Sequence, residues 1–207
     1  EFNPAAGVKQ YLVQGRERFL TPEEIQRLRV AVEKSINKQL KYIVALLLML
    51  GCRKSELLNA KWEHMDLDRR TWKIPLSKSG KMRHVPLSSA AVDLLRDVPK
   101  WKGCPYVLPN PKTLKPLVDF HEPWATACRR AGLKDVRIHD LRHTFASNLV
   151  NAGHSLFVVS RALGHASVVQ TARYSHLADD TLLAAADAAA NAMGNTWSDL
   201  KKSSAQT

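Results

Sequence analysis

The chain has 207 residues and carries 31 Lys and Arg against 19 Asp and Glu, for a net charge of +12. That length suits one domain with a sizeable core or two small ones, and so basic a balance points to a polyanionic partner, because each phosphate neutralised releases condensed counterions. Cys52, Cys104 and Cys128 form neither a CxxC pair nor a disulfide framework, and no apolar run approaches the ~18 residues of a membrane span or resembles a signal peptide. The expectation is a soluble, cytoplasmic protein with no membrane partner.

Residues 1–19 mix Gly, Pro, Lys and Arg without periodicity and open without Met, so they read as a linker or a cloning-derived segment. Order begins at Thr21-Pro22-Glu23-Glu24, where Thr suits a helix cap, Pro suits the first turn and Glu24 completes a capping box. A second helix over 38–50 is too apolar all round for a surface, and Gly51 ends it as a left-handed cap. A short helix over 54–60 follows. Arg53 therefore stands at a turn between two packed elements, with Glu56 one turn further on.

Runs at 64–67, 72–76 and 84–87, separated by turns at 68–70 and 77–81, predict a small antiparallel meander with Lys78 and Lys81 at the tip of its second hairpin. Helices are expected over 88–98, 118–131, 138–151, 155–163, 167–174 and 181–193, with an irregular Pro-rich passage at 101–113. There is no repeat of fixed period and no second composition break. Residues 20–180 thus read as one mainly α domain with a small antiparallel β-sheet, an α+β class, and 181–207 as a C-terminal helix and tail.

The chemistry gathers at Ile138-His139-Asp140-Leu141-Arg142-His143-Thr144, on the first turns of a helix. With ~3.6 residues per turn, His139 and Arg142 project toward a common point, which suits a phosphate. His139 and His143 also have the i, i+4 spacing of two zinc ligands, but the glutamate of a zinc-protease motif is missing and no third ligand follows, so no metal site is expected. His165, just past Gly164, and Tyr174 would each pass alone for structural residues. A tyrosine hydroxyl, with its pKa ~10, attacks phosphorus well only where neighbours favour the phenolate and neutralise the phosphate oxygens. Two arginines, two histidines and a lysine are suitable equipment.

This set, in this order, resembles the tyrosine recombinase or phage integrase family, and through a shared catalytic core the type IB topoisomerases. The matching positions are Arg53 in Leu50-Gly51-Cys52-Arg53-Lys54-Ser55-Glu56-Leu57-Leu58 and Lys78 in Leu76-Ser77-Lys78-Ser79-Gly80-Lys81-Met82-Arg83-His84-Val85-Pro86-Leu87. They continue with His139 and Arg142 in His-Asp-Leu-Arg-His, His165 in Leu-Gly-His-Ala-Ser, and Tyr174. The similarity spans roughly 20–180.

The resemblance implies a site-specific DNA recombinase catalytic domain that works without cofactor or metal. Tyr174 attacks the scissile phosphodiester to form a 3'-phosphotyrosyl bond, and Arg53 and Arg142 clamp the non-bridging oxygens. Lys78 is the general acid, with Lys81 its rival. His139 assists proton transfer at the tyrosine, His165 donates to a phosphate oxygen, and Glu56 orients Arg53. Lys81 and Arg83 are expected on DNA. Because the ester retains the bond energy, no nucleotide-binding loop is needed, and no Gly-x-x-x-x-Gly-Lys-Ser/Thr occurs.

The implied partner is double-stranded DNA, bound as a homotetramer, with the isolated chain a monomer of bacterial or phage origin. Leu182, Ala186, Ala189 and Met193 form an apolar stripe that either packs in cis or docks on a neighbouring protomer. Family members usually carry an amino-terminal helical domain that completes a clamp around DNA, so residues 1–207 alone are expected to bind weakly and salt-sensitively. Two other readings stay open: a non-catalytic basic DNA-binding module with Tyr174 buried or turned away, and a topoisomerase-like relaxing enzyme.

Overall fold

The computed structural model describes residues 18–75, 82–165 and 167–192, the side chains of 178–183 excepted. Helix α1 (Pro22–Glu33) starts as its sequence dictates. The Thr21 hydroxyl accepts the Glu24 N–H at 3.3 Å while the Glu24 carboxylate accepts the Thr21 N–H at 3.0 Å. Helix α2 (Leu40–Leu50) buries Leu40, Ile43, Val44, Leu46, Leu47 and Leu50 and forms the spine of the core, packed against α1 and the later helices α4 and α6. Gly51 ends it at φ +55°, and a Cβ there would lie 2.1 Å from Cδ1 of Phe145. Backbone conformation and close helix approach both require glycine at this corner.

Helix α3 (Lys54–Leu58) leads through a 3-10 turn (Trp62–His64) into β1 (Met65–Asp66), β2 (Thr71–Ile74) and β3 (Arg83–Pro86). These form an antiparallel sheet in the order β1-β2-β3, with Trp72 opposite Val85 and Ile74 opposite Arg83. Trp72, Ile74 and Val85 are buried, following the two-residue period of a half-covered sheet. The second hairpin's tip, residues 76–81, with Lys78 and Lys81, lies outside the described residues.

Helix α4 (Ser89–Asp97) is capped by the Ser88 hydroxyl, which accepts the Ala91 N–H at 3.2 Å. Helix α5 (His121–Arg130) begins later than the predicted residue 118: the Asp119 carboxylate takes the N–H groups of Phe120 and His121 at 2.8 and 3.1 Å at the start of the helix. Helices α6 (Ile138–Asn151) and α7 (Leu156–Leu163) follow, then Gly164 at φ +68°. The predicted short helix at 167–174 is a 3-10 helix, Val168–Ala178, running into α8 (Asp179–Ala192).

The main core fills the space among α1 to α5 and the sheet and reaches Leu141 on α6. A smaller cluster, Ala146, Val150, Val159, Leu163 and Tyr174, joins α6 to α7 and the 3-10 helix. Helix α6 therefore belongs to both, and its first turns lie at the junction. Among the described residues, no helix is long and apolar enough to cross a membrane.

Candidate active site

Arg53 precedes α3 in an extended conformation, and Glu56 fixes both its ends: the carboxylate accepts the Arg53 backbone N–H at 2.9 Å and its guanidinium at 2.9 Å. A second guanidinium, that of Arg83, donates to the same carboxylate at 2.8 Å. Burial pushes the Glu56 carboxyl up, but the Arg53 N–H and Arg83 outweigh it and hold the pKa below its ordinary value. Glu56 is thus an anion between two cations. Its expected place beside Arg53 is where it stands.

Arg142 projects from the first turn of α6, is only 5 % exposed, and donates to the Gly51 carbonyl at 2.7 Å. That carbonyl lies at the C-terminal, electronegative end of α2. Burial, then the charges of Arg53 and Arg83, lower the Arg142 pKa to about 10, which leaves it a cation at neutral pH. His165 follows the Gly164 turn, with its backbone N–H on the Ser160 carbonyl at 3.0 Å and its Nδ1 2.8 Å from the Thr171 hydroxyl. Burial, then Arg142 and Arg53, bring its pKa to about 4. Arg53, Arg142 and a neutral His165 therefore share one electropositive corner. Beside Arg142 and His139 opens a cleft of about 490 Å³, whose lining includes Lys54 and Arg137.

Tyr174 lies close enough to that corner for the charge of Arg142 to act on its hydroxyl. It is 6 % exposed, in a slot formed by Phe19, His143, Ser147, Arg173, His176 and Leu177. Its hydroxyl meets Nδ1 of His143 at 2.5 Å. Burial, then His139, lower the His143 pKa to about 4, so the imidazole is neutral, and in its Nε2-protonated tautomer Nδ1 accepts from the phenol. Burial raises the Tyr174 pKa, against the pull of Arg173 and Arg142.

His139, expected at the tyrosine, instead meets His143 edge-on with ring centroids 4.9 Å apart, its own pKa lowered by burial and Arg142. Sequence reasoning missed His143 at this position. The i, i+4 pair was visible, but it read only as a metal-ligand spacing. Among the described residues, no group of three or more His, Cys, Asp or Glu is placed to hold a metal. Arg173 and Thr171 were also missed, since nothing in their local pattern separates them from surface and core.

Arg83, expected on DNA, turns inward. Its side chain is 12 % exposed, and besides Glu56 it donates to the Ala162 carbonyl at 3.3 Å. Its place opposite buried Ile74, two residues before buried Val85, puts it on the covered face of the sheet. Lys78 and Lys81 lie outside the described residues.

Residues 18–181 match the model of the phage integrase family. The chain belongs to this family. It is 34% identical over 180 residues to the integrase of Salmonella phage P22, covering 81% of this chain and 46% of that protein. The catalytic domain of bacteriophage HP1 integrase matches with a TM-score of 0.65 at 30% identity, covering 82% of this chain and 93% of that one. XerH site-specific recombinase, in a post-cleavage complex with a palindromic difH substrate, matches with a TM-score of 0.65 at 25% identity, covering 82% and 52%. This phage integrase family member has the fold of a tyrosine recombinase catalytic domain, in the expected α+β class. It spans about half the length of the curated relatives it matches.

Proposed function

We propose that this chain is the catalytic part of a site-specific recombinase that cuts and rejoins double-stranded DNA through a 3'-phosphotyrosyl intermediate. The observation that carries the reading is the convergence of Arg53, Arg142 and neutral His165 on one corner, beside a helix whose His143 holds the hydroxyl of Tyr174. The two guanidiniums clamp the non-bridging oxygens of the scissile phosphate and stabilise charge in the pentavalent transition state. His165, held through Nδ1 by Thr171, presents its other nitrogen to a phosphate oxygen.

In the cleavage step the Tyr174 proton passes to His143, the phenolate oxygen bonds to phosphorus, and the bond from phosphorus to the 5'-oxygen breaks. The leaving oxygen takes a proton from Lys78 or Lys81. A 5'-hydroxyl from a second strand later reverses the same step. His139 acts through His143 rather than on the phenol.

The burial of Tyr174 is what a mere binding module would also display. Its hydroxyl, however, rests on a ring nitrogen that can take its proton and not on inert packing, so the slot works as a resting place from which DNA engagement draws the nucleophile. The partner is double-stranded DNA, consistent with the DNA-bound XerH relative, and assembly on it is a homotetramer. The exposed Ala186 and Ala189 on α8 belong to the docking stripe, whose Met193 lies outside the described residues.

Covalent trapping on nicked duplexes in EDTA tests this function. An adduct that survives detergent in wild type and is lost in Tyr174→Phe supports it. DNA binding without any adduct would leave a binding module.

A further inference from the structure

Arg83 has an environment that a DNA-facing arginine does not need. One nitrogen reaches Glu56, which holds Arg53 by both backbone and side chain, and another reaches the carbonyl of Ala162 in the last turn of α7. Its Nε is buried and has no partner among the described residues. Gly164, immediately before His165, lies directly on the guanidinium: a Cβ at Gly164 would be 2.6 Å from Cδ and 2.8 Å from both Nε and NH1 of Arg83. One buried side chain from β3 therefore touches the support of Arg53 on one side and the corner that carries His165 on the other.

We infer that Arg83 is a positioning residue that sets the spacing between the Arg53 and His165 arms of the phosphate site. This rests on the function proposed above. The planar fork is the reason for arginine: it reaches Glu56 and Ala162 in two fixed directions, whereas a lysine is a single point charge that satisfies one of them. Gly164 belongs to the same device, because its bare Cα lets the His165 corner settle on the guanidinium. Charge alone does not explain the arrangement, since a cation needed only for its field would be free to lie anywhere nearby.

The test uses Arg83→Lys, which keeps the charge, and Gly164→Ala, which displaces the guanidinium from the opposite side. The first readout is the trapping rate on nicked duplexes carrying either a normal phosphate or a methylphosphonate at the scissile position. Groups that orient metal ligands typically account for ~10- to 100-fold in activity, and a loss of that order is expected in Arg83→Lys on the phosphate. The loss should shrink on the methylphosphonate, where one negative oxygen is gone and the clamp matters less. An equal loss on both substrates would mean general damage and overturn the inference.

The second readout does not depend on cleavage: nitrogen NMR of the Arg53 side chain and the His165 ring, in variants checked by thermal melting. Gly164→Ala should move the Arg53 signal although Gly164 is not an Arg53 neighbour in the bonding chain. Folded variants whose Arg53 and His165 signals stay in place would overturn the inference even if wild type never traps DNA. A wild type that fails to trap, with both signals moving, would count against the proposed function and leave the positioning role standing.

Discussion

The hydroxyl of Tyr174 rests on Nδ1 of His143 at 2.5 Å, with both side chains more than nine-tenths buried. Removing the acceptor strands a buried phenol. His143→Phe should therefore destabilise the fold by about 1–3 kcal/mol, the usual cost of a buried polar group left without a partner. Adding Tyr174→Phe should recover most of it. Chemical denaturation of the two single variants and the double variant closes the cycle, and strict additivity would show that the pair is not coupled.

His143 and His165 have pKa values lowered to about 4 from the ordinary 6.5. The folded protein thus binds fewer protons than the unfolded chain between those values. Stability contributed by the neutral rings is fully present above about 6.5 and is lost as pH falls toward 4. Thermal melts should show a plateau at neutral pH and a decline below it. His143→Gln should make the decline shallower, and an unchanged slope would mean that His143 does not titrate as assigned.

Arg142 is tied to the Gly51 carbonyl and lines the cleft beside His139. Losing a comparable donor costs ~10²- to 10³-fold in rate, so Arg142→Ala should depress covalent trapping by that order. A rate within a few-fold of wild type would remove Arg142 from the phosphate clamp.

Gly51 meets Phe145 at a left-handed corner. Gly51→Ala should lower stability by more than about 1 kcal/mol, through the backbone and the collision together. Combining it with Phe145→Leu should restore part of the loss, the part due to the ring. No recovery would assign the whole cost to φ.

If the chain binds DNA as proposed, its charge of +12 predicts binding dominated by counterion release. Duplex affinity should fall about 10³-fold or more between ~50 and ~200 mM salt if ~6 or more phosphates are contacted. A fluorescence anisotropy titration over that range gives the slope, and a flat one would exclude a phosphate-led interface.

Much of this organisation was legible because its causes are local. Thr21 and Glu24 cap a helix through neighbours three residues apart, and Gly51 and Gly164 end helices in the left-handed conformation that glycine favours. The start of α5 was not, because Asp119 competes with the helix for the first N–H groups, and the apolar pattern does not record that competition. The resemblance marked Arg53, His139, Arg142, His165 and Tyr174, but not which side chain each one touches. Arg83 turned inward because two acceptors from distant segments meet beneath it, and His143 gained the tyrosine because the chain folds back from Gly164. Both depend on contacts between residues far apart in sequence.

The Leu20 N–H donates to the Thr144 hydroxyl at 2.9 Å, and Phe19 forms part of the slot around Tyr174. The segment entering the domain is thus pinned to the helix that carries Arg142, with Phe19 beside Tyr174. Substitutions at Phe19 or Leu20, far from Tyr174 in sequence, should therefore be felt in the packing of that tyrosine.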